Sequence, residues 1–336
     1  MNEARFYTPA NEGVKCLLCP HHCHIREGGR GLCRSRECRD GKLYALSYGR
    51  PCALAIDPVE KKPLNHFMPG TRCLSLSCTG CNLSCRWCQN SDISQAGPEE
   101  AESDEWSPEE IVDAALRRSL PSIAFTYTEP FTWWEYMYDI AVLSRERGLK
   151  NILVSARYVE REPLEELLPY LDAANIDIKA MDDAFYRKWC GASLAPVLEN
   201  ILTMHAAGVH VEITNLLVTG LNDSEGQVAA LCRWMVENGL RDVPLHLSRF
   251  FPRYHFTDVG PTPKATLLMA RDVALSHGIR RVHLGNISPF LALEGSLRET
   301  PKSKPVGGPA EDKNSPKTDY NINVIIRNNT VLRNVY

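Results

Sequence analysis

The sequence predicts an α/β fold, a partial or full (β/α) barrel of parallel strands with a cysteine-rich N-terminal extension and a largely disordered C-terminal tail. Three observations carry this reading. Between residues 107 and 287, short apolar runs alternate with longer amphipathic stretches, the pattern of repeated βαβ units. Eleven of the thirteen cysteines lie before residue 89. Beyond Ser288 the chain holds Pro301, Pro305, Gly307-Gly308-Pro309 and Pro316 without apolar rhythm, and reads as disordered to Asp319. The expected division is residues 1–66 for the cysteine-rich region, 67–287 for the core and 288–336 for the tail.

Residues 1–50 show little periodicity, as expected of a small unit folded around a metal or packed on its neighbour. Leu74-Ser75-Leu76-Ser77 reads as a short strand. Ser107 followed by Pro108, Glu109 and Glu110 starts a helix: an N-cap, a proline at the first position, acids in the first turn. The alternation then runs strand Ser122–Phe125, helix Trp133–Arg147, strand Asn151–Val154, helix Glu162–Tyr170 and strand Ala174–Ile178. Asp183–Trp189 and Leu194–Ala207 follow as helices, His210–Leu217 as strand and Glu225–Asn238 as helix. Pro244–Leu247 and Arg281–Leu284 are the last strands, with helix Lys264–His277 between them. Right-handed crossovers between parallel strands put functional loops at the strand C-terminal ends. An open doubly wound sheet is the alternative that pattern alone leaves standing. In the tail, Val324-Ile325-Ile326 could add an edge strand.

Apolar content of 44% and charged content of 24% in 336 residues describe an ordinary globular chain. The formal charge of −3 gives no electrostatic case for nucleic acid or a membrane surface. No apolar run approaches the ~18 residues of a membrane span. The polar start, without an apolar segment, predicts no secretory signal and a cytoplasmic protein.

The chemistry concentrates in Gly80-Cys81-Asn82-Leu83-Ser84-Cys85-Arg86-Trp87-Cys88. A cubane cluster ordinarily takes four thiolates, so three from one tight loop leave one iron open to a non-protein ligand. Cys78 allows a reading as two C-x2-C pairs, but zinc ribbons need roughly 15–20 residues between pairs. The ferredoxin run C-x2-C-x2-C-x3-C-Pro is absent as well. Cys78 then reads as a buried free thiol. Polar residues close several strands: Glu129, Asp177, Lys179, Glu212, His246 and Arg249. Strand-end ion pairs would explain each alone; their joint placement after successive strands favours one polar pocket.

These residues together resemble the radical S-adenosylmethionine (radical SAM) enzymes, in particular the AmmeMemoRadiSam group related to pyruvate formate-lyase activating enzyme. The resemblance runs from Tyr7 to Asn286. It includes Cys16-Leu17-Leu18-Cys19-Pro20-His21-His22-Cys23, Asp57-Pro58-Val59-Glu60-Lys61-Lys62-Pro63-Leu64, the run from Gly80 to Asn90, and Thr126-Tyr127-Thr128-Glu129-Pro130. It implies a radical SAM partial barrel in which Cys81, Cys85 and Cys88 hold a 4Fe-4S cluster. S-adenosylmethionine would bind the open iron, and one electron would split it into methionine and a 5′-deoxyadenosyl radical that abstracts hydrogen from a substrate. Cofactor contacts are implied for Trp87, Glu129, Ser155, Asp177, Lys179 and His246. An electron donor such as flavodoxin or ferredoxin is implied, with a protein or small molecule as substrate. The chain departs from the family where Tyr127 and Thr128 replace glycines, at Ser155-Ala156-Arg157-Tyr158, and in having no cysteine after Cys232.

Cys16, Cys19, Cys23 and Cys33 form a second set. They could bind zinc, with His21, His22 or His24 as alternative ligands, or hold a second iron–sulfur cluster, or simply pack. Cys38, Cys52, Cys73, Cys190 and Cys232 read as buried thiols. Three functions compete: hydrogen abstraction from an unidentified substrate, activation of a glycyl radical enzyme, and a non-catalytic iron–sulfur scaffold.

Overall fold

The computed structural model describes residues 1–287, so the expected disorder of 288–336 and the Val324-Ile325-Ile326 patch lie outside the described residues. The N-terminal region is ordered by hairpins. Strands β1 (Asn2–Glu3), β2 (Tyr7–Ala10), β3 (Gly13–Cys16), β4 (His24–Arg26), β5 (Arg36–Arg39) and β6 (Lys42–Ala45) form two antiparallel sheets, β2-β3-β4 and β1-β6-β5. Asp40 and Gly41, at φ 52° and 71°, make the two-residue turn between β5 and β6. Asp-Gly suits such a turn because both positions need positive φ. These strands are too short for alternation to register in the sequence.

Residue 53 begins a mixed eight-stranded sheet. Strand β7 (Ala53–Pro58) pairs antiparallel with β8 (Arg72–Ser77). Then β9 (Ser122–Phe125), β10 (Lys150–Ser155), β11 (Ala173–Asp177), β12 (His210–Leu217), β13 (Leu245–Arg249) and β14 (Val282–Gly285) follow, each parallel to the strand before it. Spatial order equals chain order, with β14 and β7 as the two edges. A doubly wound sheet would reverse direction midway; this one does not. Crossovers of one hand in one direction put the crossover helices on one face, and the sheet curls into a partial barrel.

The helices are α1 (Ser91–Ser94), α2 (Pro108–Arg117), α3 (Trp134–Glu146), α4 (Arg161–Leu167), α5 (Asp183–Phe185), α6 (Ala195–Ala206), α7 (Glu225–Glu237) and α8 (Lys264–Ser276). At α2 the expected start is realised as a reciprocal cap. Ser107 Oγ accepts from the Glu110 N–H and Glu110 accepts from the Ser107 N–H. The stretch Asp183–Trp189, expected as one helix, is a single α turn followed by a π turn over Tyr186–Cys190 that ends at left-handed Gly191.

Strand side chains alternate with period two. Ala174, Ile176, Val211, Ile213, Leu245 and Leu247 are buried core, each burial contributing about 1.5–3 kcal/mol for the larger side chains. Their alternates Asn175, Asp177, Thr214, Leu216, His246 and Ser248 line the barrel interior. Within α3, Trp134 stacks on Tyr138 at 4.6 Å, and it meets Phe6 edge-on at 4.8 Å. A buried ion pair, Arg36 Nη2 to Glu135 Oε1 at 2.6 Å, ties the N-terminal sheets to α3. Removing one partner would strand the other charge, at a cost of about 3–5 kcal/mol. No helix among the described residues is long and apolar enough to cross a membrane.

Candidate active site

The barrel interior is a cavity of about 870 Å³, roomy enough for a nucleoside-sized ligand. The loop after β8 forms one wall. Its path is held by the Gly80 N–H to Ile93 O (2.9 Å), the Ser84 N–H to Cys190 O (2.8 Å) and the Asn82 Nδ2 amide to Tyr158 O (2.6 Å). Gly80 sits at φ 95°, and a Cβ there would come within 2.5 Å of Cys33 O. So held, Cys81, Cys85 and Cys88 all line the cavity. Cys78 is fully buried, near Cys52, and is not part of that lining.

The three thiols differ in environment. Burial pushes Cys81 and Cys88 up. Cys85 is held below the ordinary thiol range because the Cys190 thiol donates to it and the Lys179 ammonium lies nearby. The Leu83 N–H faces Cys81 Sγ at 3.4 Å, and Ser94 Oγ lies 3.2 Å from Cys88 Sγ. Neutral thiols must lose protons to bind metal, and such donors stabilise the anions formed.

Opposite, Glu129 ends the segment after β9 and is fully buried. Its Oε1 accepts from Ser155 Oγ at 2.6 Å and its Oε2 from the Ala156 N–H at 2.8 Å. Burial raises its pKa, and these bonds oppose the rise. At the end of β11, Lys179 Nζ meets Asp177 Oδ2 at 2.9 Å. Burial works against the Lys179 charge, but Asp177 and Cys85 outweigh it and keep the amine protonated. Trp87 is buried against Phe185 (5.6 Å) and Phe256 (6.2 Å) and lines the same space. His246 bonds Glu212 Oε2 at 2.6 Å and stacks on His283.

The expected convergence is therefore selective. Glu129, Ser155, Asp177, Lys179 and His246 line the cavity. Glu212 lies behind His246, where it also accepts from the backbone N–H groups of Asn65 and His66. Arg249 turns away, its Nε donating to Thr262 O and its guanidinium lying over Phe251. Arg157 is buried with no hydrogen-bond partner for its guanidinium nitrogens and lies 5.2 Å from the Phe131 ring.

One group at the cavity stood in the sequence only as part of two motifs, with no role given to it. Asp57 Oδ2 accepts from Lys62 Nζ (2.8 Å) and Tyr127 Oη (2.5 Å), and Oδ1 pairs with Lys61 (2.9 Å). Burial acts to raise the Asp57 pKa, but these partners prevail and hold the carboxyl far below its usual range. Tyr127, one of the residues in the place of family glycines, is thus the link from the Glu129 segment to this ion group.

The profile of the Radical SAM superfamily matches residues 76–235, from the end of β8 through most of α7. An uncharacterized protein of Methanocaldococcus jannaschii is 47% identical over 85% of this chain and 86% of its own length. The chain belongs to the radical SAM superfamily. It is 29% identical to the pyruvate formate-lyase-activating enzyme of Clostridium pasteurianum over 45% of this chain and 64% of that enzyme. The matched part thus spans less than two thirds of the activase. Among solved structures, a radical SAM methyltransferase from Sphaerobacter thermophilus aligns with a TM-score of 0.51 at 18% identity, over 65% of this chain and 67% of that one. That likeness concerns the fold.

Radical SAM enzymes use a 4Fe-4S cluster with S-adenosylmethionine, and this enzyme's donor set suits both. Three thiols on one wall face a cavity bearing a carboxylate, an ammonium and an aromatic ring, the complement of an amino acid joined to a nucleoside.

Proposed function

We propose that Cys81, Cys85 and Cys88 hold the 4Fe-4S cluster and that the cavity between them and Glu129 receives S-adenosylmethionine. The observation that carries this reading is the cavity lining shared by the three thiols; Cys190 touches Cys85 from behind and does not line that space. Held there, the cluster would supply the single electron for reductive cleavage of S-adenosylmethionine, the chemistry that lets such enzymes take a hydrogen atom from a substrate. Glu129 accepts the methionine amino group, with Ser155 and the Ala156 N–H fixing the carboxylate's orientation. Lys179 and Asp177 bind polar groups of the cofactor beside Cys85. Trp87 offers an apolar surface to the adenine. His246, held by Glu212, lines the far part of the cavity, toward the substrate.

Within this reading the reductant is a one-electron donor of the flavodoxin or ferredoxin type, and the protein works in the reducing cytoplasm. The runs quoted above resemble the AmmeMemoRadiSam group and favour it as the subfamily. The similarity to an activase supports a second reading, installation of a glycyl radical on a partner enzyme.

The test is electron paramagnetic resonance of the anoxically reconstituted, reduced chain. An open iron predicts a cluster signal that shifts when S-adenosylmethionine is added. A signal indifferent to the cofactor contradicts the proposal. Absence of a glycyl signal in mixtures with glycyl radical enzymes from the same genome removes the activase version alone.

A further inference from the structure

We propose that Cys16, Cys19, Cys23 and Cys33 bind a second 4Fe-4S cluster whose four irons are all ligated by protein. The fold gathers them from three places. Cys16 ends β3 and its N–H donates to Cys23 O at 2.9 Å across the hairpin. Cys19 lies in the turn between, and Cys33 arrives on the loop before β5. All four are free thiols, and all four line one small cavity whose other walls include Leu18, Ile25 and Leu32.

Four features of this cavity point to a cofactor. Thiols clustered in an apolar setting with no disulfide have no packing reason to face a common space. The backbone N–H groups of His21 and Ser35 face the sulfurs two residues before them, Cys19 and Cys33, and that of Leu32 faces Cys23. Leu83 does the same for Cys81. Arg36 lines the cavity at 1% exposure. Glu135 and Arg5 O occupy its two terminal nitrogens, and its Nε has no partner. A buried unpaired donor is costly, and a cluster or thiolate sulfur would satisfy it. Finally, Gly31 stands beside two of the sulfurs: a Cβ there would lie 3.7 Å from Cys33 Sγ and 3.8 Å from Cys23 Sγ, in ordinary contact with both.

The arrangement favours the cluster over a single zinc ion. Among the described residues no three His, Cys, Asp or Glu side chains converge as a single ion requires. A cubane carries its thiolates on its outside, farther apart than the four around one zinc. Two of the three imidazoles are engaged otherwise, His21 Nε2 with Asn82 O (2.7 Å) and His22 Nε2 with Glu160 (2.9 Å), and His24 does not line the cavity. With every iron ligated, this centre has no position for S-adenosylmethionine. It would lie against the back of the catalytic loop, since Asn82 walls its cavity.

The decisive experiment uses the full chain carrying Cys81→Ala, Cys85→Ala and Cys88→Ala together, reconstituted without oxygen and analysed for iron, sulfide and zinc and by Mössbauer spectroscopy. The proposal predicts about four irons and four sulfides per chain there, against about eight in the unaltered protein. The reduced signal in the variant should ignore S-adenosylmethionine. Loss of all iron from the variant, or one zinc per chain in place of iron, overturns the proposal. The complementary Cys19→Ala/Cys33→Ala chain should keep about four irons with a cofactor-sensitive signal. If that chain fails to fold, the first variant still decides. Failure of the proposed function looks different: the unaltered protein would then hold only the cluster that the triple variant retains.

Discussion

Two cysteine sets in this molecule show how similar local chemistry is given different reach. Cys81, Cys85 and Cys88 stand on the wall of a large cavity that also bears Glu129, Asp177 and Lys179. Cys16, Cys19, Cys23 and Cys33 surround a small space whose other walls mix aliphatic side chains with Arg36 and Asn82. In both, backbone N–H groups two residues on face the sulfurs. The difference lies in what surrounds them. The first loop follows a barrel strand, where one face of the sheet must line an interior. The second lies among hairpins only a few residues long, which close on themselves. Three thiols beside room for a ligand suit catalysis; four thiols without it suit a saturated centre.

The largest expected effect breaks the open set alone. Cys81→Ala, Cys85→Ala or Cys88→Ala should each lower 5′-deoxyadenosine formation by at least about a thousandfold, or ~4 kcal/mol of barrier. Cys78→Ala should not, because Cys78 lies outside the cavity lining. Chromatographic quantification of the nucleoside checks both.

The next strikes the contact between the two sets. Gly80→Ala places a Cβ within 2.5 Å of Cys33 O at a φ of 95°. It should cost about 3 kcal/mol or more of stability, read by urea unfolding. A near-neutral result would mean that the two loops move independently.

Glu129→Gln sharpens the comparison on the ligand side. It removes the carboxylate charge from the cavity and should weaken S-adenosylmethionine binding by roughly 10–100-fold, measured by calorimetry. Iron content should be unchanged.

The smallest effect concerns the far end of the large cavity, where His283 faces His66 (2.8 Å) and stacks on His246. Burial, His246 and His66 hold His283 down to about 4 from an ordinary 6.5. A histidine pKa lowered by folding means that the unfolded chain binds more protons between those values. Its contribution is therefore fully present above pH 6.5 and is lost as pH falls toward 4. The loss should be about 1–2 kcal/mol, below the full linkage value because the ring is partly exposed. Unfolding curves at pH 7 and pH 4.5 for the native chain and His283→Gln check it.

The parallel strands were legible because each is apolar, bounded by turn residues and separated from the next by an amphipathic stretch. His210–Leu217 was bounded to the residue. The short N-terminal strands were not, since two to four residues carry no period. Likewise the polar strand ends announced Glu129, Asp177, Lys179 and His246. Arg249 looked equivalent, but its side chain follows Thr262 instead of the cavity. Asp57 with Tyr127, and Cys85 with Cys190, were invisible because such pairs are joined only by the closed fold. Asp57 and Tyr127 are 70 residues apart.

The central claim is that three thiolates and a polar cavity make one radical-generating site. Its most direct test is the yield of 5′-deoxyadenosine and methionine when the anoxic, iron-loaded, dithionite-reduced chain meets S-adenosylmethionine. The account predicts both products in equal amounts, absent from the Cys81→Ala chain. Iron-loaded protein that releases neither, or a Cys81→Ala chain that releases as much, would contradict it.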